Sequence, residues 1–143
     1  VDPTEAGLAA RRLALAMAST HLGEGHDVIV PQFLAREQFI DDLADVAHRC
    51  DARFVEVALT MSRAAAIGAF ERRSATPDSQ QHRDAAADVE RAGGVRALAA
   101  MYDAYVDLLA RRPGARRVDV VDNDVDGTID RIEAIIDEIA EVH

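Results

Sequence analysis

The run His26-Asp27-Val28-Ile29-Val30-Pro31 constrains this chain most, because it stands between glycines at 23 and 25 and a helical pattern that begins near Arg36. A short apolar, β-branched run between two helices has the signature of a buried parallel strand. Parallel strands are joined only through long crossovers, so a strand here commits the chain to an α/β arrangement with right-handed connections. In an open sheet of that kind the ligand crevice lies outside the carboxyl ends of the strands. Gln32 and Arg36, just past this run, are therefore candidate substrate-binding residues. Gln32 has two readings that remain open: orienting a substrate hydroxyl or a metal-bound water, or capping the helix that follows.

The other elements follow in order. Pro3 opens a helix whose Leu8, Leu15 and Leu22 run on to Gly23. A second helix over about 36–50 places Phe39, Ile40, Leu43, Val46 and Ala47 on one face. Residues 53–61 are rich in β-formers and end at Ser62, a good cap for a helix over 63–73. From Ser74 to Arg83 almost nothing is apolar, which predicts a mobile loop or lid, over about 72–84 once the flanking arginines are included. Helices over about 84–92 and 95–111 divide at Gly93-Gly94, and Pro113-Gly114 stops the second. Residues 117–121 read as a further strand, and Val125, Ile129, Ile132, Ile135, Ile136 and Ile139 mark a last amphipathic helix. No internal repeat or linker interrupts the 143 residues, which predicts one domain over 1–143.

Composition narrows the classes. The net charge of −10 argues against a nucleic-acid surface. No run reaches the ~18 apolar residues of a membrane span, and the first residues lack a signal-peptide pattern, so the expectation is a cytoplasmic protein with no membrane partner. Cys50 is the single cysteine, so no intrachain disulfide can form. All 16 basic residues are arginine, which reflects coding bias as readily as guanidinium chemistry.

Three patterns bear on chemistry. Asp122, Asp124, Asp126, Gly127, Asp130 and Glu133 fit the spacing of a twelve-residue calcium loop. The loop should follow a helix, however, whereas Val118, Val120 and Val121 alternate like a strand. The preferred reading is a strand end, a turn and a helix start favoured by acidic groups, with no metal held. Arg72, Arg73 and Arg83 match the fork geometry that clamps phosphate oxygens, or they are solvated helix-end charges. The five histidines show no metal-ligand spacing, and no Gly-x-Ser-x-Gly elbow is present.

Taken together, the 25–34 run, the strand-then-Ser pattern at 54–62, Phe70-Glu71-Arg72-Arg73 before a polar segment, and Arg112-Pro113-Gly114-Ala115 before the last strand resemble the small P-loop kinases of GC-rich bacteria. These are ATP-dependent phosphotransferases in the broad group of zeta toxin and chloramphenicol phosphotransferase. The resemblance implies a three-layer P-loop fold, ATP and Mg2+ as cofactors, and a small-molecule acceptor. It also implies catalytic lid arginines at Arg72, Arg73 and Arg83, an acceptor pocket around Gln32 and Arg36, and a nucleotide contact near Asn123. One departure is plain: the chain has no Gly-x-x-x-x-Gly-Lys-[Ser/Thr] and no lysine at all. The expectation is that the strand and loop bearing that motif precede Val1, and that this strand lies between 27–31 and 53–61. The alternative is a non-enzymatic, degenerate kinase fold that acts through protein contacts or calcium.

Overall fold

The computed structural model describes residues 3–31, 36–77 and 79–141. The chain divides into two compact units, Val1–Phe54 and Val55–His143.

In the first unit, helix α1 (Pro3–Gly23) packs on helix α2 (Glu37–Arg49). Phe39, Ile40, Val46 and Ala47 recur at one- and seven-residue steps, so they share one face of α2, and all four are buried. On α1 the buried residue is Ala18, whose small side chain permits close approach of a neighbouring backbone. Leu8, Leu13 and Met17 remain exposed. Cys50 caps the carboxyl end of α2, and its thiol donates to the Ser19 carbonyl at 3.7 Å.

The chain leaves α1 through a left-handed turn at Gly25 (φ +81°), with the His26 amide donating to the His21 carbonyl at 3.0 Å. Residues 26–31 then belong to no helix and no ladder, which corrects the expected strand at 27–31. Strand preference measures fit to a pleated, half-buried surface, and among the described residues no strand lies beside this run to supply one. Ile29 is 83% exposed.

The second unit is built on two short parallel strands, β1 (Val57–Thr60) and β2 (Arg116–Asp119), paired with Leu59 opposite Val118. These replace the longer expected strands at 53–61 and 117–121. Between them run α3 (Arg63–Ala75), α4 (Gln80–Ala92) and α5 (Val95–Arg111), and α6 (Val125–Glu141) follows β2. Six helices and a two-stranded parallel sheet among the described residues make a helix-rich mixed α/β chain. No described helix is long and apolar enough to cross a membrane.

The polar segment after α3 is shorter than expected. Helix α3 runs on to Ala75 and α4 starts at Gln80, so most of the predicted loop at 74–83 is helical. The physical reason is capping: the Ser79 hydroxyl accepts from the His82 amide at 3.2 Å, which lets α4 begin four residues early.

Helix α5 anchors the sheet. Ala58, Leu109 and Ala115 are buried together, with Tyr105 packed against them. The Arg112 Nε lies 2.9 Å from both carboxylate oxygens of Glu56, a largely buried ion pair that ties the end of α5 to the start of β1. The Glu56 carbonyl accepts from the Arg116 amide of β2 and the Thr60 carbonyl from the Val120 amide just after it, so by alternation the Leu59 and Met61 carbonyls point to the other edge of β1. There the Tyr105 hydroxyl donates to Leu59 (3.0 Å) and the Tyr102 hydroxyl to Met61 (2.9 Å). Two tyrosines, three residues apart on α5, thus satisfy acceptors that an adjacent strand would otherwise use.

Candidate functional site

Both strands point their carboxyl ends the same way, so the segments after Thr60 and Asp119 emerge together at one end of the sheet. After β1 the chain turns into α3, whose amino end is capped by the Ser62 hydroxyl accepting from the Ala65 amide at 3.2 Å. After β2 it passes through Val120 and Val121 into the turn at Asp122 and Asn123. Asn123 has φ +62°, in the left-handed region that Asn tolerates better than most residues.

The acidic motif at 122–133 is a helix start. The Asp124 carboxylate accepts from the Gly127 amide at 3.1 Å, and its carbonyl accepts from the Thr128 amide at 3.2 Å and the Thr128 hydroxyl at 2.7 Å. Arg131 reaches the other Asp124 oxygen at 3.4 Å. A Cβ on Gly127 would land on the Asp124 carboxylate. Glycine at this position therefore makes room for the cap, which accounts for the residue that the calcium pattern also requires. Among the described residues no three His, Cys, Asp or Glu side chains converge as a metal site.

The three arginines do not form one cluster. Arg72, in the last turn of α3, pairs with Asp122 and so ties the carboxyl end of α3 to the turn that holds Asn123. Arg83, in the first turn of α4, bonds Gln80 on its own helix at 3.0 and 3.2 Å. Arg73 borders a cavity of about 150 Å³ between α3 and α4, lined also by Phe70, Ser74, His82 and Ala85. No hydrogen bond or ion pair among the described residues holds Arg73. Arg36 immediately precedes α2 in the first unit, exposed and with no side-chain capping bond. Gln32 lies outside the described residues.

Sequence reasoning passed over Ser74 and His82, because it tested histidines for metal spacing alone. The signal was the helical step from Phe70 to Arg73 and Ser74, which puts these three on one side of α3. A larger cavity of about 400 Å³ lies between α1 and α2 and is lined by none of the candidate substrate, catalytic or nucleotide residues read from the sequence. Asp42 and Asp45 line it against a single Arg49, a net negative lining that disfavours an anionic ligand there. No family model matches the chain, and neither does any curated protein or solved structure.

Proposed function

We propose that this chain supplies the lid, acceptor side and part of the base site of an ATP- and Mg2+-dependent small-molecule kinase with a P-loop fold. One observation carries the reading: the guanidinium of Arg72 meets Asp122, neighbour of Asn123, in the turn that follows the parallel strands. This end of an α/β sheet is where ligands gather. The proposed lid arginine Arg72 and the proposed base contact Asn123 are thus neighbours there, which supports the reading. The Arg72–Asp122 pairing is loose, since both side chains are more than half exposed, and phosphate oxygens would compete with Asp122 for the guanidinium.

ATP needs a Gly-rich loop whose backbone amides cradle its phosphates, and a lysine beside them; this chain contains neither that loop motif nor a lysine. The coding sequence ahead of Val1 therefore tests the reading. A strand ending in Gly-x-x-x-x-Gly-Lys-[Ser/Thr] supports it, and the absence of such a stretch overturns it. A strand entering beside β1 would also have to take the Leu59 and Met61 carbonyls from Tyr105 and Tyr102.

The second reading is a protein-contact domain. Leu59 on the sheet, and Val121, Val125, Ile129 and Ile136 at and along α6, are more than 40% exposed, an unusual density of large apolar side chains for one small unit. Saturable nucleotide binding by the encoded protein separates the two, because a contact domain has no use for it.

A further inference from the structure

We infer that helix α6 docks a basic amphipathic helix of a partner protein, through an exposed stripe of Val125, Ile129 and Ile136 bordered by a row of carboxylates. This face gives the protein-contact reading a partner of stated chemistry and rests on that reading. It stands whether or not the chain belongs to a kinase.

Helix α6 has an apolar face wider than its contact with the sheet. Thr128 is buried and Ile132, Ile135 and Ile139 are half-buried, which marks the side that packs on β2. At 100° per residue Val125, Ile136 and Ile129 follow on from that side, and all three are exposed. Single exposed apolar residues are ordinary, whereas these share one stripe. Their β-branched side chains lose rotamer freedom in a helix, so helix formation alone gives no reason for them at exposed positions. Their spacing, four residues and then seven, is that of a seam between helices, and it spans about three turns. Leu59 adds to this side. It lies opposite Val118, on the face of the sheet where Arg116 reaches Glu138 of α6, and it is exposed.

The border of the stripe identifies the charge of the partner. Beyond Ile129 round the helix come Glu133, Asp126, Asp137, Asp130 and Glu141, all exposed. No ion pair among the described residues holds any of them, since Arg131, the single basic residue of α6, pairs with Asp124, and Glu138 pairs with Arg116. The rival explanation is that acidic residues favour the amino end of a helix, which accounts for Asp126. It fails for Glu133, Asp137 and Glu141, which succeed one another at four-residue steps, where like charges repel. Glu141 also stands at the carboxyl end, where the helix dipole opposes it. Basic side chains on a docked helix relieve that repulsion while its apolar face covers the stripe. A second copy of this chain would bring another row of carboxylates against the first, and an anionic lipid surface is repelled likewise.

The test uses the whole encoded protein and a fluorescent synthetic helix of about 20 residues, with leucines at heptad a and d positions flanked by arginines, followed by anisotropy. The same peptide with glutamate in place of arginine is the control. Saturable binding of the arginine peptide is expected, with a Kd of roughly 10 μM that weakens about tenfold as salt rises from about 0.05 to 0.5 M. Ile129→Ser with Ile136→Ser should weaken it about tenfold or more, and so should Glu133→Gln with Asp137→Asn, while Glu5→Gln on α1 leaves it unchanged. These side chains are exposed, so the substituted chains keep their fold, and far-UV circular dichroism verifies that. Loss of the two carboxylates should also raise the melting temperature, because their repulsion is gone. No saturable binding, equal binding of the glutamate peptide, or an affinity that neither double substitution moves would overturn the docking face. So would a dimer in sedimentation equilibrium that Ile136→Ser dissociates, because a second copy then covers the stripe. Nucleotide binding decides the protein-contact reading and the peptide titration decides this face, so the two failures are separable.

Discussion

Val28, Ile29 and Val30 in the first unit are stronger strand formers than the Val57-Ala58-Leu59-Thr60 stretch in the second, but only the second forms a strand. The difference lies in what each run has beside it. Ala58 is 5% exposed against Leu109 and Ala115, its strand pairs with β2, and its outer carbonyls take tyrosine hydroxyls from α5. Ile29 is 83% exposed and its run has no ladder. Intrinsic preference spans only ~1 kcal/mol per residue, less than packing and pairing supply together. A strand in this molecule is thus made by its surroundings.

The sharpest way to break the contrast is to remove the surroundings. Leu109→Ala should cost the second unit about 2–5 kcal/mol, because it opens a cavity directly beneath Ala58. Ile29→Ala should change stability by less than ~0.5 kcal/mol, as expected for an exposed side chain. Urea unfolding followed by amide signals assigned to each unit measures both. Equal losses would mean that the 26–31 run is buried in solution and that its strand character is real.

The Arg112–Glu56 pair sharpens the same point at the entrance to β1. Their side chains are only 15% and 20% exposed, so Arg112→Ala leaves a carboxylate short of its main partner in a poorly hydrated place. About 1–3 kcal/mol should be lost, with the protection of β1 amides from hydrogen exchange falling first. Unchanged protection would show that Leu109 packing alone holds the strand.

At the other end of β2 the contest is between two readings of one motif. Asp124→Ala removes the cap of α6 and should cost about 1 kcal/mol. Gly127→Ala ordinarily stabilises a helix by about 0.5–1 kcal/mol, but here its methyl group strikes the Asp124 carboxylate and should destabilise. In the Asp124→Ala background the clash is gone, and Gly127→Ala should become stabilising. That change of sign in a double-mutant cycle is the signature of the cap. Additive effects would remove it.

What could be read in the sequence follows the same division. Helical periodicity and terminal Pro and Gly signals placed α1, α2 and α5 nearly to their ends and marked α6 by its apolar face, because the apolar spacing of a helix and its end signals are local properties. The helix start at Asp124 was legible for that reason. Strand pairing is not local, and the 27–31 run misled because its apolar residues say nothing of a neighbour. The polar stretch at 74–83 misled in the opposite way: polarity suggested a loop, whereas Ser79 marked a cap inside it. In the candidate site, the residue types were readable and their grouping was not. Arg72 and Arg73 are adjacent in sequence, yet one bonds Asp122 and the other faces a cavity with His82, since consecutive helical residues point about 100° apart.

A further modest effect concerns the tyrosines at the outer edge of β1, and it carries a pH signature. Partial burial, reinforced by the nearby Glu56 charge and opposed by Arg117, raises the Tyr105 hydroxyl above its ordinary value of 10.0. The protonated hydroxyl is also the donor to the Leu59 carbonyl. In the unfolded chain Tyr105 ionises near pH 10, while in the folded chain it keeps its proton to higher pH, so between those values the folded state binds more protons. Stability from this group is therefore complete below pH 10 and declines as pH rises through the folded value. Tyr105→Phe should cost about 0.5–1.5 kcal/mol at neutral pH, by loss of the hydrogen bond, and should flatten the alkaline decline. Tyr102→Phe should cost a similar amount and leave the slope in place, since Tyr105 remains. Chemical denaturation at a series of pH values above 9 reads both, and an identical alkaline slope in Tyr105→Phe would show that its hydroxyl does not guard this edge.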